Sequence, residues 1–387
     1  MKGRSIGMVS PSFFPMIGGV EAYVLGIGKE LVRLGHEVTV YTPDSVLGRQ
    51  ISKHEELVDG IRIRRIHVLF DLSYRLKLWP DLQKVLARDG PDLVHVYSQD
   101  TYALPALMAA KSCGSPFVVT TYGPFEGHSE YGLLQGGLLR LYDMVVSPKL
   151  FRRSDCVLIR YPAIARWLRA MGIPEARIRL EPSGLPQNSL LPRIGTRFRD
   201  RERVSGPLIL YLGRISPQKG VQHAIEAMRR VVEKHTDAML VLAGPDYVGY
   251  SAELRASAER SGIADNLLIK PAMVDEESQL EAIAACDVFL MPSTFEGFSQ
   301  AVLKAMAQGK PVVVSETGGL PYEIAYGECG TMCPYGDSRS LADAIDVLLQ
   351  DRAMASRMGE AGKMRASHFT FDVLAKSLST TYDEIGR

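Results

Sequence analysis

The chain alternates short apolar runs with stretches whose apolar residues recur every three or four positions. Residues 5–9 are the first such run, and a loop rich in Ser, Pro and Phe follows, ending at Gly18-Gly19. Val20, Val24, Ile27, Leu31 and Leu34 then step by four, three, four and three, which is one face of a helix. Gly35 closes that helix before a second run at 38–41. Residues 61–66 alternate Ile with Arg and predict a strand with one wet face; 93–96, 117–121, 157–159 and 178–180 are further strands, with helices at 82–88, 103–112 and 164–171. A second series begins at 208–212 and continues at 239–243, 267–270, 288–291 and 311–314, with a helix at 221–234 and only helices after 341. Both series open with a strand, a loop ending in Gly-Val (Gly19-Val20, Gly220-Val221) and a helix. Alternation of this kind predicts an α/β protein of two doubly wound parallel-sheet, Rossmann-like domains. Gly-x-Gly-x-x-Gly is missing from the first loop, and Gly26-Ile27-Gly28 lies within the first helix as a packing feature.

Composition narrows the picture. The 387 residues suit two domains of ordinary size. A net charge of +1, with 23% charged residues, gives no electrostatic basis for nucleic-acid binding by the whole molecule. Cys113, Cys156, Cys286, Cys329 and Cys333 are scattered and odd in number, which fits a reducing compartment better than a disulfide framework. Neither the N-terminus nor any later apolar run reads as a signal peptide or a spanning helix. A cytoplasmic location is expected, with at most a peripheral membrane contact. The stretch 193–203 carries Arg193, Arg197, Arg199, Arg201 and Arg203 with little apolar content and reads as a solvated linker or surface loop.

Chemistry concentrates in 295–315. Residues 287–291 form a buried strand, Glu296-Gly297-Phe298-Ser299 a tight loop, and Ser299 the N-cap of a helix through Gln308; Gly309 ends it, and 311–315 is the next strand. A helix N-terminus after a parallel strand binds anions, whereas Glu296 suits the hydroxyls of a sugar. Upstream, Gly213-Arg214-Ile215-Ser216-Pro217-Gln218-Lys219-Gly220 places two cations where a helix dipole repels them; a phosphate ligand resolves that conflict.

These two stretches resemble the signatures of the retaining GT-B glycosyltransferases of family 4: Glu-Gly-Phe-Gly-x-x-x-x-Glu-Ala-Met-Ala-x-Gly-x-Pro-Val-Val and Gly-Arg-x-x-x-x-Lys-Gly. Nearly the whole chain is covered. Ser299 stands at a usual glycine, and Lys304 stands at the second glutamate. The resemblance implies GT-B architecture, with domains at 1–192 (acceptor side) and 193–366 (donor side) facing a central cleft, and a C-terminal helix at 367–387 that crosses back to the first domain. It implies Arg214, Lys219 and Glu296 as catalytic residues. Gly18, Gly19 (with Glu21 after them), Gly297, Phe298, Ser299, Gln300 and Lys304 would bind the donor, and Tyr122, His128 and His95 are acceptor-side candidates. Ser183-Gly184-Leu185-Pro186 stands at the family's Asn-Gly-Val-Asp. Gly318-Gly319-Leu320-Pro321 with Glu323 resembles its Gly-Gly-x-Pro-Glu, expected to pack beneath the donor site.

The implied reaction is retaining, hexosyltransferase-like, front-face transfer from a nucleotide-diphosphate sugar to a glycan or lipid-linked acceptor, without cofactor or metal. The leaving diphosphate takes the acceptor proton. Lys304 keeps alternatives open, because a carboxylate accepts from two ribose hydroxyls and an ammonium only donates: the ribose is read by other groups, the donor differs, or the protein is a catalytically impaired scaffold or binding protein. A phosphorylase or an epimerase of similar architecture fits less well, for want of a supported pyridoxal lysine in the one and because the Glu-Gly-Phe stretch is foreign to the other. Arg62, Arg64, Arg65, Arg75 and Lys77, with Leu76, Leu78 and Trp79, and the apolar stretch 133–151 ending near Lys149, Arg152 and Arg153, predict weak contact with an anionic membrane surface.

Overall fold

The computed structural model describes residues 3–15, 18–46, 49–51, 53–71, 77–124, 133–273 and 275–386. It divides into two units, Met1–Gly184 with Phe371–Arg387, and Leu185–Thr370.

The sheet of the first unit runs Ile178–Leu180, Cys156–Ile159, Phe117–Thr121, Leu93–Tyr97, Ser5–Val9, Glu37–Pro43, Ile61–Ile66 and Glu55–Val58. All pairs are parallel except the last. Strands covered on both faces need continuous apolar runs, and Leu93–Tyr97 and Phe117–Thr121 are buried at every position. The edge strand Glu55–Val58 has no apolar run to announce it. It is held by the wet face of its neighbour, where Arg64 donates from Nε to Glu55 at 2.8 Å and pairs with Asp89.

This pairing corrects the expected membrane cations. Arg64 lies between two carboxylates, and Arg65 is buried, paired with Glu56 and donating to the carbonyls of Lys53 (2.8 Å) and Phe14 (2.9 Å). Lys77 is buried, and Trp79 stacks on Tyr102 with ring centroids 4.8 Å apart. Arg64, Arg65, Lys77 and Trp79 thus form part of the fold, whereas Arg62 and Leu78 of the same stretch are exposed. Arg75 and Leu76 lie outside the described residues.

The C-terminal helix Phe371–Ile385 belongs to the first unit, packed along the helix Gly19–Arg33. Phe371 occupies the space that a side chain at Gly26 would fill: a Cβ there would stand 2.2 Å from its ring. Phe371, Leu374, Ala375, Leu378 and Tyr382 join Ile6, Met8, Tyr23, Val24 and Ile27 in one core. Full burial of such a side chain contributes about 1.5–3 kcal/mol.

In the second unit the sheet runs Leu267–Lys270, Met239–Ala243, Leu208–Leu212, Val288–Met291, Val312–Ser315 and Gly330–Cys333, all parallel. The edge strand Gly330–Cys333 is short and half polar, and periodicity does not reveal it. The stretch expected to be a solvated linker instead contains a helix, Thr196–Glu202. Phe198 is buried, and Arg199 donates to the carbonyls of Ala285 (2.9 Å) and Gly206 (2.9 Å) and pairs with Asp287 at 2.6 Å. Carbonyl and carboxylate partners distant in sequence turn an arginine-rich stretch into a packed element.

Strand order reverses between Leu208–Leu212 and Val288–Met291 in the second sheet, and between Ser5–Val9 and Leu93–Tyr97 in the first. Connections leave such a pair in opposite directions, so the loops at the carboxyl ends open a crevice. No helix among the described residues is long and apolar enough to cross a membrane.

Candidate active site

The reversal in the second unit brings together the two stretches singled out in the sequence. After Leu208–Leu212 the chain is pinned by buried Ile215, whose N–H donates to the Pro245 carbonyl at 2.9 Å, and by Tyr211, whose hydroxyl donates to the Arg214 carbonyl at 2.7 Å. It then makes a short 3-10 turn, Pro217–Lys219. Gly220 sits at φ +66°, and a Cβ there would stand 1.9 Å from the Pro292 carbonyl oxygen. Both demands admit only glycine, and they press this loop onto the one that follows Val288–Met291. The backbone N–H and hydroxyl of Thr294 both reach the Gln218 carbonyl at 2.9 Å.

That clamp sets the chemistry. Lys219 Nζ donates to Glu296 Oε1 at 2.6 Å, and the Ser293 hydroxyl donates to the same oxygen at 2.9 Å. The pair is mostly buried, with side chains 17% and 14% exposed. Among the described residues no hydrogen bond is made to the other carboxylate oxygen, which is open as an acceptor. Arg214 is exposed, and its guanidinium has no hydrogen-bond or ion-pair partner among the described residues. One unpaired cation and one cation shared with a carboxylate therefore stand beside a helix N-terminus.

The helix is Gln300–Ala307, and the Ser299 side chain caps it by accepting from Val302 N–H at 3.4 Å. A serine at this position caps the helix, which the glycine usual in the family signature cannot do. Gly297 completes the loop between Glu296 and Phe298. Phe298 packs edge-on against Phe369 (5.3 Å) and Tyr322 (6.4 Å), anchoring the loop from below. The segment after Val312–Ser315 supports the loop: Gly319 N–H donates to the Glu296 carbonyl at 2.7 Å, and Thr317 Oγ1 donates to the Ser293 carbonyl at 3.1 Å. Gly318, at φ +56°, approaches so closely that a Cβ would stand 2.0 Å from Glu296 O.

Lys304 lies in the second turn of the helix. Its partner is Glu276, 3.1 Å away, at the start of the helix Glu276–Ala285. Glu296 is committed to Lys219 instead. Lys304 is 14% exposed and Glu276 46%, so an opened, ligand-accessible carboxylate stands beside the ammonium.

In the first unit Gly18 precedes the helix Gly19–Arg33 as its N-cap residue. Glu21 is buried and accepts from the Ser12 hydroxyl, tying the glycine loop down. His95 is fully buried, with Nδ1 on the Tyr382 hydroxyl (2.6 Å) and Nε2 on Thr120 Oγ1 (2.8 Å). Burial pushes its pKa well below the usual histidine range. Both nitrogens are engaged, so the acceptor-side reading of His95 gives way to a structural one. Tyr122 is half-buried, and its hydroxyl accepts from Arg160 at 3.3 Å. His128 lies outside the described residues.

Sequence reasoning missed what holds Tyr122. Arg160 is buried, its guanidinium 4.0 Å from the Tyr23 ring centroid, 3.6 Å from the Glu181 carboxylate, and donating to the carbonyls of Glu181 (3.1 Å) and Pro182 (3.3 Å). Glu181 accepts from the hydroxyls of Tyr23 (2.7 Å) and Thr120 (3.1 Å). The only local signal was a charged residue at the carboxyl end of each of two strands. Among the described residues no three His, Cys, Asp or Glu side chains cluster as a metal requires.

Comparison with known proteins agrees with this geometry. Residues 195–365 match the family described as Glycosyl transferases group 1, and residues 18–184 match the Glycosyl transferase 4-like domain. The chain is 27% identical to a phosphatidyl-myo-inositol mannosyltransferase of Mycobacterium leprae, over 98% of this chain and 96% of the relative. It is 28% identical to a GDP-mannose-dependent alpha-mannosyltransferase of Mycobacterium tuberculosis, over 94% and 93%. Among solved structures, sucrose-phosphate synthase from Thermosynechococcus elongatus superposes with a TM-score of 0.78 at 21% identity, covering 99% of each chain. Anabaena HepE in complex with UDP and glucose superposes with a TM-score of 0.78 at 19% identity, covering 98% of this chain and 100% of that one. The fold is that of the GT-B glycosyltransferases, with a parallel sheet in each unit.

Proposed function

Because the chain belongs to the group 1 glycosyltransferases of family 4, we propose that it transfers a hexose, with retention, from a nucleotide-diphosphate sugar to a hydroxyl of a glycan or lipid-linked acceptor. The observation that carries this reading is the meeting of Lys219 and Glu296 at the strand reversal, beside a capped helix N-terminus. Arg214, Lys219 and the amides opening the helix at Gln300 stabilise the departing diphosphate. The open oxygen of Glu296 accepts from a sugar hydroxyl. Retention follows from front-face attack, with a diphosphate oxygen taking the acceptor proton as the glycosidic bond breaks and the new one forms. The names of the mycobacterial relatives favour GDP-mannose as donor and an inositol-bearing lipid as acceptor. A thermal-shift screen of nucleotide sugars tests the donor, with GDP-mannose expected to give the largest shift. NMR of the product tests the stereochemistry: an α-linked mannoside is expected, and a β-linked product sinks the front-face reading.

Lys304 decides donor fit. Its pairing with Glu276 favours adaptation over decay, with Glu276 as the carboxylate offered in place of the missing glutamate. Lys304→Glu puts two carboxylates side by side, and donor affinity is expected to fall roughly tenfold, about 1.4 kcal/mol. The double swap Lys304→Glu with Glu276→Lys restores the pair and is expected to recover most of that loss. Tighter donor binding by Lys304→Glu alone, read by calorimetry, sinks the adaptation.

Membrane contact is assigned to the helix Leu133–Val145. Leu138, Leu141, Met144 and Val145 are 51%, 56%, 76% and 46% exposed, with exposed Arg140, Lys149, Arg152 and Arg153 beside them. Weak binding to vesicles containing anionic lipid is expected, on the cytoplasmic face in the cell, and it should be reversed by salt. No co-sedimentation at low salt removes the idea.

A further inference from the structure

Glu323 lies beneath the donor loop at 0% exposure. One carboxyl oxygen accepts from Ser299 N–H at 2.8 Å, and the other, fully buried, has no hydrogen-bond partner among the described residues. The charged groups near it are few. Arg365 is the nearby cation, and it directs its guanidinium to backbone, with Nε on the Glu323 carbonyl at 2.6 Å and a second nitrogen on the Tyr322 carbonyl. From the neighbouring loop the charge that faces Glu323 is Glu296, which disfavours a second negative charge. A carboxylate stripped of water needs several good donors or a paired cation, and the backbone amides of Ser299 and, more weakly, Leu303 do not meet the cost.

We propose that Glu323 is the positioning residue of the donor loop and acts as a neutral carboxylic acid, holding Ser299 in place while keeping negative charge away from the site of the leaving diphosphate. Burial pushes its pKa well above the carboxylate range; the Ser299 amide, Arg365 and the Leu303 amide oppose the shift, Glu296 reinforces it, and burial prevails. The inference rests on the reading of this loop as the diphosphate site and extends it. An ionised Glu323 would stand behind the helix N-terminus and offset the dipole that attracts the phosphates. A neutral one accepts the Ser299 N–H and leaves that dipole intact. Donor binding should therefore weaken as pH rises through the titration of Glu323.

The sign of the stability effect follows from linkage. Unfolded, Glu323 loses its proton above its ordinary value near 4.5; folded, it keeps the proton to higher pH. Between the two the native state binds the extra proton, so stability falls as pH rises. Glu323→Gln keeps an acceptor for Ser299 and cannot ionise. Melting of the apo wild type and of Glu323→Gln across pH 5–9 should show the variant gaining steadily on the wild type with pH. GDP, as the probe, should bind Glu323→Gln within about threefold of wild type at the acid end, and more tightly than wild type at the alkaline end. Glu323→Ala, which removes the acceptor, should raise the donor KM roughly tenfold. A pH-independent melting difference overturns the neutral acid, and parallel GDP affinities at all pH values overturn its link to the phosphate site. A wild type that binds no nucleoside diphosphate overturns the donor reading instead, and the melting comparison alone then decides the charge of Glu323.

Discussion

Arg214→Ala and Lys219→Ala are each expected to lower kcat by roughly 10²–10³, the loss seen when one preorganised donor to a developing oxyanion is removed. The two variants should differ in everything else. Arg214 is exposed and its guanidinium has no partner among the described residues, so its loss should leave stability within about 0.5 kcal/mol of wild type. Its whole effect should be catalytic and salt-sensitive. Lys219 is the partner of Glu296, and removing it leaves a mostly buried carboxylate with only the Ser293 hydroxyl. Lys219→Ala should therefore also lower melting temperature, and it should weaken donor binding by leaving an uncompensated negative charge beside the phosphates. Steady-state kinetics with the donor found by screening, run beside thermal melts, separate the two. Full activity in both variants sinks the diphosphate assignment.

Arg160→Ala should destabilise the first unit by about 3–5 kcal/mol, the cost of breaking a buried ion pair from one side. Arg160 is 1% exposed and Glu181 5%, so no water replaces the lost guanidinium. Its removal also opens a void against the Tyr23 ring and frees the Tyr122 hydroxyl. Burial, only partly offset by Arg160, already raises the pKa of Glu181. Without the arginine, Glu181 should hold its proton to still higher pH. A raised folded pKa makes stability fall as pH rises above the unfolded value, so the defect of Arg160→Ala should deepen from acid toward neutral pH. Calorimetry that resolves the two units should show one transition falling by roughly 10 °C. Equal destabilisation at all pH values would show that Glu181 does not depend on Arg160 for its charge.

The periodicity of apolar residues was enough to predict an α/β protein with two parallel sheets, because parallel strands covered on both faces must be apolar throughout and crossover helices must present one apolar stripe. The loop at 295–300 and its capped helix were equally legible, since Glu296, Ser299 and the terminating Gly309 act through local backbone chemistry. The anion-binding character of 213–220 came from a local conflict between two cations and a helix start. The edge strands Glu55–Val58 and Gly330–Cys333 were not legible, because an edge strand is specified by its neighbour's hydrogen bonds more than by its own side chains. Nor was the burial of Arg65 and Arg160, or the pairing of the half-buried Arg64 and Arg199. A charged residue reads as solvated until its partner is known, and Glu55, Asp89, Glu56, Glu181 and Asp287 are supplied by other elements. The same holds at the site. The sequence named Lys219, Glu296 and Lys304, but only the tertiary structure paired Lys219 with Glu296 and Lys304 with Glu276, and buried Glu323 beneath Ser299, because burial and long-range contact decide which charge faces which.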